Sequence, residues 1–159
     1  MKKLKIYLDT SVISAYFDFK KPVRQLITQK WFENEIQRYD TYISDVVVQE
    51  IQNTKDTELR TKFVKLIDDI SPTLMPITDF ENELAIKYRA AILKKEINDT
   101  LHIASASLAR LNAIVSWNFH HIVNLETMNA INDINLIENL NMIEIVSPEN
   151  LGGSKYGSL

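Results

Sequence analysis

Two hydrophobic periods alternate along the chain. Short apolar runs at Lys5-Ile6-Tyr7-Leu8, Thr41–Ser44, Ala113–Ser116 and Ile143–Val146, with a weaker one at Thr73–Met75, predict buried strands. Helical spacing fills the intervals. Pro22 suits a first helical turn, and Leu26, Ile27, Trp31, Ile36 and Tyr39 follow at roughly that spacing. Ser44 is placed to cap a helix carrying Val46, Val47, Glu50 and Ile51. Residues 56–70 read as an amphipathic helix with Leu59, Phe63, Leu66 and Ile67 inward. Thr78 and Glu81 form a capping-box pattern ahead of Phe80, Leu84, Tyr88 and Ala91 on one face. Asn98 can cap a helix over 99–110, whose small residues Ala104, Ser105, Ala106 and Ala109 permit close packing on a sheet. A last helix covers roughly 125–140, and compositional bias suffices for its many asparagines.

Strands alternating with helices imply a parallel sheet with right-handed crossovers, covered on both faces. No internal repeat or interior linker interrupts the pattern. The expected organisation is one α/β domain over 1–150 and a flexible Gly/Ser tail over 151–159, beyond Pro148.

Composition narrows the chemistry. The net charge of −3 argues against a purely electrostatic nucleic-acid binder, though not against an enzyme whose bound cations offset its carboxylates. With no cysteine, thiol catalysis, disulfides and Cys-ligated zinc are excluded. No apolar run approaches a membrane span and no signal-peptide core precedes the first strand, so the expectation is a cytoplasmic protein without membrane contact. All 3 glycines (Gly152, Gly153 and Gly157) lie in the tail. Walker loops, dinucleotide fingerprints and the serine-hydrolase elbow need glycine to approach phosphate or turn sharply, and are excluded.

What remains is acidic. Asp9 falls where the first strand stops, at the sheet edge where ligands gather in open α/β folds. Glu50 borders the apolar stripe of the helix after the second strand. Asp99 opens the helix leading into the strand at Ala113, and Asn118 follows that strand. Parallel strands bring Asp9, Asn118 and Glu50 to one edge. Asp99 begins a helix antiparallel to the strands, and is expected to need a long preceding loop to reach over. Clustered carboxylates repel, and an all-oxygen donor set calls for Mg²⁺ or Mn²⁺. Such an ion activates water for attack on phosphorus, so phosphodiester hydrolysis is the reaction this arrangement serves best.

The stretches LDTSVI, SDVVVQEI, NDTLHIASA, VSWNFHHIVN and IEIVSPENL, in that order through most of the chain, resemble the PIN-domain ribonuclease family, in particular its VapC-type toxins. The resemblance implies a five-stranded parallel sheet in the order 3-2-1-4-5, flanked by helices. It also implies a metal-dependent endoribonuclease that hydrolyses RNA through metal-activated water, acting as the toxin of a type II toxin–antitoxin pair. RNA substrate, a small antitoxin and a homodimer come with it. By motif position Asp9, Glu50 and Asp99 hold the metal, Asn118 assists catalysis, and Ser11 and Ser116 support. Asn118 departs from the aspartate that many members carry, so a non-catalytic module binding RNA or protein is the alternative. A haloacid-dehalogenase phosphatase would need a second acid where Ser11 stands, and a receiver domain would need its aspartate on a later strand.

Other polar residues have plainer expectations. His102, on nearly the same helix face as Asp99, reads as a hydrogen-bonded packing residue, and Trp117 as packing beneath the site, with base stacking as the alternative. His120 and His121 could contact RNA phosphate or stay in their loop. Lys87, Arg89, Lys94 and Lys95 form a solvated face by default, and Asp68, Asp69, Glu81 and Glu83 fall on polar helix faces.

Overall fold

The computed structural model describes residues 2–92 and 96–151. Its elements alternate as the periodicity requires: β1 (Leu4–Leu8), α1 (Thr10–Ala15), α2 (Pro22–Asn34), β2 (Tyr39–Ser44), α3 (Asp45–Gln52), α4 (Thr57–Ile70), β3 (Thr73–Met75), α5 (Asp79–Ala91), α6 (Ile97–Leu108), β4 (Ala113–Val115), α7 (Leu125–Ile137) and β5 (Glu144–Val146). The five strands are all parallel, in the order β3-β2-β1-β4-β5. β1 is central, and Ile6, Tyr7 and Leu8 are wholly buried because helices cover both faces.

Local chemistry sets the boundaries. Ser44 caps α3, Asp56 caps α4, and Thr78 with Glu81 closes the capping box of α5. With no glycine in the body, left-handed positions fall to Ser71 (φ 55°), Arg110 (φ 56°) and Asn139 (φ 58°). The last ends α7 short of Leu140, whose N–H closes back on the Asn135 carbonyl at 2.7 Å.

Four local expectations are corrected. Tyr39 leaves the first helical stretch after a 3-10 turn at Ile36–Arg38 and pairs with Leu4 in β2, where its ring stacks on Trp31. Phe80 sits in the first turn of α5, ahead of the buried face, and is exposed. Asn98 does not cap α6, which starts a residue earlier and has Glu96 at its N-cap without a side-chain bond. The asparagines of α7 are more than compositional bias. Asn132 bridges to both backbone groups of Ile143, and wholly buried Asn135 accepts from the Tyr88 hydroxyl while donating to Ser107 Oγ (3.1 Å). That junction ties α5, α6 and α7 together, and burial pushes the Tyr88 phenol up to about 12.

Lys94, Lys95 and the tail from 152 onward lie outside the described residues. Lys87 lies on a solvated face, as expected, where it pairs with Glu138 at 2.6 Å, whereas half-buried Arg89 donates to Thr100 Oγ1 at 2.9 Å and ties α5 to α6. Removing the Asn135 side chain deletes the buried acceptor of the Tyr88 hydroxyl. Asn135→Ala should lower unfolding free energy by about 1–3 kcal/mol in chemical denaturation. The exposed Asn129→Ala control should stay within about 0.5 kcal/mol of wild type.

Candidate active site

β1 and β4 are neighbours, so residues leaving their carboxyl ends meet. Asp9 follows β1 with only 4% of its surface exposed. Its Oδ2 takes the Ser11 N–H at 3.3 Å, the Ser11 hydroxyl at 2.5 Å and the Ser116 hydroxyl at 2.9 Å. An ionised carboxylate only accepts, so both hydroxyls donate to it, and their lone pairs take backbone N–H groups. Trp117 N–H donates to Ser11 Oγ at 2.9 Å and Asn118 N–H to Ser116 Oγ at 3.0 Å. Asp9 thus caps α1, while Oδ1 is left to face His102 Nε2 at 3.4 Å.

Glu50 reaches the same imidazole from α3. Its Oε1 accepts from His102 Nε2 at 2.6 Å and from Thr10 Oγ1 at 2.8 Å, and Asn98 also donates to its carboxylate. The amide expected to cap α6 is used here instead. His102, 1% exposed, meets the Tyr7 hydroxyl through Nδ1 at 2.6 Å, and Tyr7 in turn meets Ser44 Oγ at 2.7 Å. Ser44 accepts the Val46 N–H, so the first turn of α3 is registered on the chain that ends at Glu50.

Asp99 arrives by a simpler route than expected. α6 delivers its far end to the start of β4 and Asp99 to the loop after it, so its first turn lies at the strands' carboxyl edge without an over-reaching loop. Asp99 is 8% exposed; Oδ1 lies 3.4 Å from Asn118 Nδ2, and buried Oδ2 has no hydrogen-bond partner. Asn118 Oδ1 accepts the His121 N–H at 3.1 Å, which fixes the amide with its NH₂ toward Asp99. As placed, Asn118 makes the turn and holds Asp99, and its oxygen is already engaged.

Charge is unevenly satisfied. Burial raises the Asp99 carboxyl above its usual range and Asp9 adds to this, outweighing the opposing pull of His121 and His102. Burial would also raise Glu50, yet the His102 hydrogen bond and charge, with Thr10 and Asn98, hold it below that range. For His102 itself burial would lower the imidazole, but Asp9, Glu50 and Asp99 together raise it. Burial raises the Tyr7 phenol strongly.

Among the described residues no group of three carboxylates and imidazoles is arranged to hold a metal ion. Instead His102 Nε2 lies against both carboxylates, 2.6 Å from Glu50 Oε1 and 3.4 Å from Asp9 Oδ1. The chemistry of the donors nevertheless suits a hard divalent cation: all are oxygens, and the second oxygen of Asp99 is buried without a hydrogen-bond partner.

The structure therefore gathers Asp9, Ser11, Ser116, Asn118 and Asp99 directly, and joins Glu50 to them through His102. Sequence reading missed Thr10, Asn98 and Tyr7. Tyr7 had a legible signal, since a phenol in a strand buried on both faces must find a polar partner. Trp117 is buried, with its indole N–H donating to Thr28 Oγ1 at 2.8 Å, so it packs and leaves no face for stacking. His120 stays exposed in the loop.

A raised carboxyl holds its proton more tightly in the folded than in the unfolded state, where the ordinary value is about 4. Stability contributed by Asp99 is thus full below that value and is lost as pH rises through the raised one. In chelator at pH 7, Asp99→Asn should melt above wild type, and the difference should vanish toward pH 4 and below. A variant that melts no higher at pH 7 would contradict an unpaired carboxylate.

The sequence profile of the PIN domain matches residues 6–124. No curated protein matches the sequence. Three solved structures share the fold at low identity. FitAB bound to an IR36 DNA fragment is 15% identical with a TM-score of 0.62, the match covering 94% of this chain and 99% of that one. VapBC2 from Rickettsia felis, bound to a fragment of its promoter DNA, is 15% identical with a TM-score of 0.55 over 91% and 98%. VapBC-5 from Mycobacterium tuberculosis, of the VapBC family of toxin–antitoxin systems, is 16% identical with a TM-score of 0.53 over 90% and 98%. With the profile match running from β1 through the loop after β4, the chain belongs to the PIN domain family.

Proposed function

We propose that the protein is a divalent-metal-dependent endoribonuclease, the toxin of a type II toxin–antitoxin pair. The observation that carries this reading is the meeting of Asp9, Glu50 and Asp99 at one sheet edge with a buried Asp99 oxygen left unpartnered. PIN domains are nucleases, and the similar chains crystallised as VapBC complexes support an antitoxin partner here. A homodimer and a cytoplasmic setting belong to the same reading. Among the described residues no helix is long and apolar enough to cross a membrane.

Asp9, Glu50 and Asp99 would hold Mg²⁺ or Mn²⁺, which when bound lowers the pKa of water and draws charge from a phosphodiester oxygen. The chain's own residues then have separable duties. Ser11 and Ser116 lock the Asp9 carboxylate by its Oδ2, leaving Oδ1 directed into the site. Tyr7 fixes the His102 ring, and His102 with Thr10 and Asn98 fixes Glu50. Asn118 holds Asp99 by one oxygen and leaves the other open. Such outer partners commonly change activity about 10–100-fold when removed.

Two observations favour a second reading. The contact of His102 with both Asp9 and Glu50, and the engaged oxygen of Asn118, suit a module that binds RNA or protein without cutting.

The purified protein with Mn²⁺ should cut RNA into fragments bearing 5′-phosphate and 3′-hydroxyl ends. Asp9→Asn or chelator should reduce cutting to background, and Tyr7→Phe by about 10-fold or more. RNA left intact under every metal condition, or cut equally by Asp9→Asn, would overturn the nuclease reading.

A further inference from the structure

Immediately beyond Asn118 the chain presents an aromatic ring that the fold does not bury. Phe119 is 44% exposed, on the loop that leaves the proposed catalytic edge. Its inner side rests edge-on against Trp117, centroids 5.8 Å apart at 83°. The Arg24 guanidinium lies 4.9 Å above the Trp117 ring and 5.6 Å from that of Phe119.

This cluster is rigidly tied to the acidic site. The Trp117 N–H donates to Ser11 Oγ, the hydroxyl that also donates to Asp9. On its other side the Trp117 indole donates to wholly buried Thr28, whose hydroxyl donates to the Arg24 carbonyl at 2.7 Å. One indole therefore registers both the Asp9 cradle and the helix turn that carries the arginine. Among the described residues Arg24 pairs with no carboxylate, although acidic residues are grouped beyond the same indole. An arginine over an indole contributes packing and cation–π attraction, and its N–H groups are left for an anion.

We propose that Phe119 and Arg24 form a subsite for a nucleotide next to the scissile phosphate of single-stranded RNA. The exposed face of Phe119 stacks on the unpaired base, and Arg24 takes a backbone phosphate. The inference rests on the endoribonuclease reading and adds to it the two residues that seat a nucleotide beside the cut. A paired base has both faces covered, whereas any unpaired base offers a π-face, so the subsite selects single strands without fixing sequence. It also answers the charge problem. At a net charge of −3 the protein lacks a broad attraction for RNA, and stacking with one aimed cation substitutes for it.

The test uses the whole protein with Mn²⁺ and a short single-stranded oligoribonucleotide carrying one mapped cut, with the base on either side of the cut replaced in turn by an abasic ribose. Base removal at one of the two positions should raise wild-type KM about 5- to 100-fold, the range that loss of one stack allows, with little change in kcat. Phe119→Ala should raise KM on the intact RNA by a similar factor and be indifferent to the abasic change, while Phe119→Tyr restores wild-type behaviour. Arg24→Gln should raise KM and flatten its salt dependence. A wild type that cuts RNA with both Phe119→Ala and Arg24→Gln unchanged in KM would overturn the subsite alone. So would unchanged RNA kinetics alongside lost affinity for a protein partner. A wild type that cuts no RNA would remove the nuclease reading and this inference with it.

Discussion

Asp9 places a carboxylate, almost wholly out of water, at the end of the central strand of the sheet. Isolated burial of such a charge costs several kcal/mol or more, so the surroundings must supply donors. They come from three directions: the first turn of α1, the end of β4 and the ring of His102. Each donor group also accepts or donates elsewhere, so the same bonds that stabilise Asp9 align β1 with β4 and place the loop beyond. The position of Asn118, Trp117 and ultimately Phe119 follows from how that one carboxylate is satisfied.

The site is stable in its parts to different degrees. Asp9 and Glu50 share His102, whereas Asp99 keeps a buried oxygen without a donor and is held toward its neutral form. A fold under selection for stability alone would replace that carboxylate with an amide or an apolar residue. Retaining a local conflict amid otherwise consistent packing is the pattern expected of a functional site. In the proposed reading a divalent cation would compete with His102 for the space between Asp9 and Glu50.

How much of this is legible without coordinates depends on the range of the interaction. Strands show as apolar runs, and capping at Ser44 and Thr78 shows because partners lie within three residues. Tyr39 misleads since helical spacing continues numerically through a 3-10 turn that only pairing with Leu4 reveals. Asp9 and Asp99 stand out by their place at a strand end and a helix start, and Glu50 by bordering the apolar stripe of α3. Their partners do not. His102 is 52 residues from Glu50 and 95 from Tyr7, and nothing local marks it as the group that joins them. Asn98 shows the same limit, because a cap and a distant carboxylate make equal claims on one amide until the fold brings Glu50 near.

The proposed activity depends on three acids acting on one ion. Calorimetric titration of Mn²⁺ into the wild type and into Asp9→Asn, Glu50→Gln and Asp99→Asn tests this most directly. Saturable binding in the wild type, weakened in each variant and most in Asp99→Asn, is the predicted result. No binding in the wild type, or undiminished binding in all three variants, would contradict it.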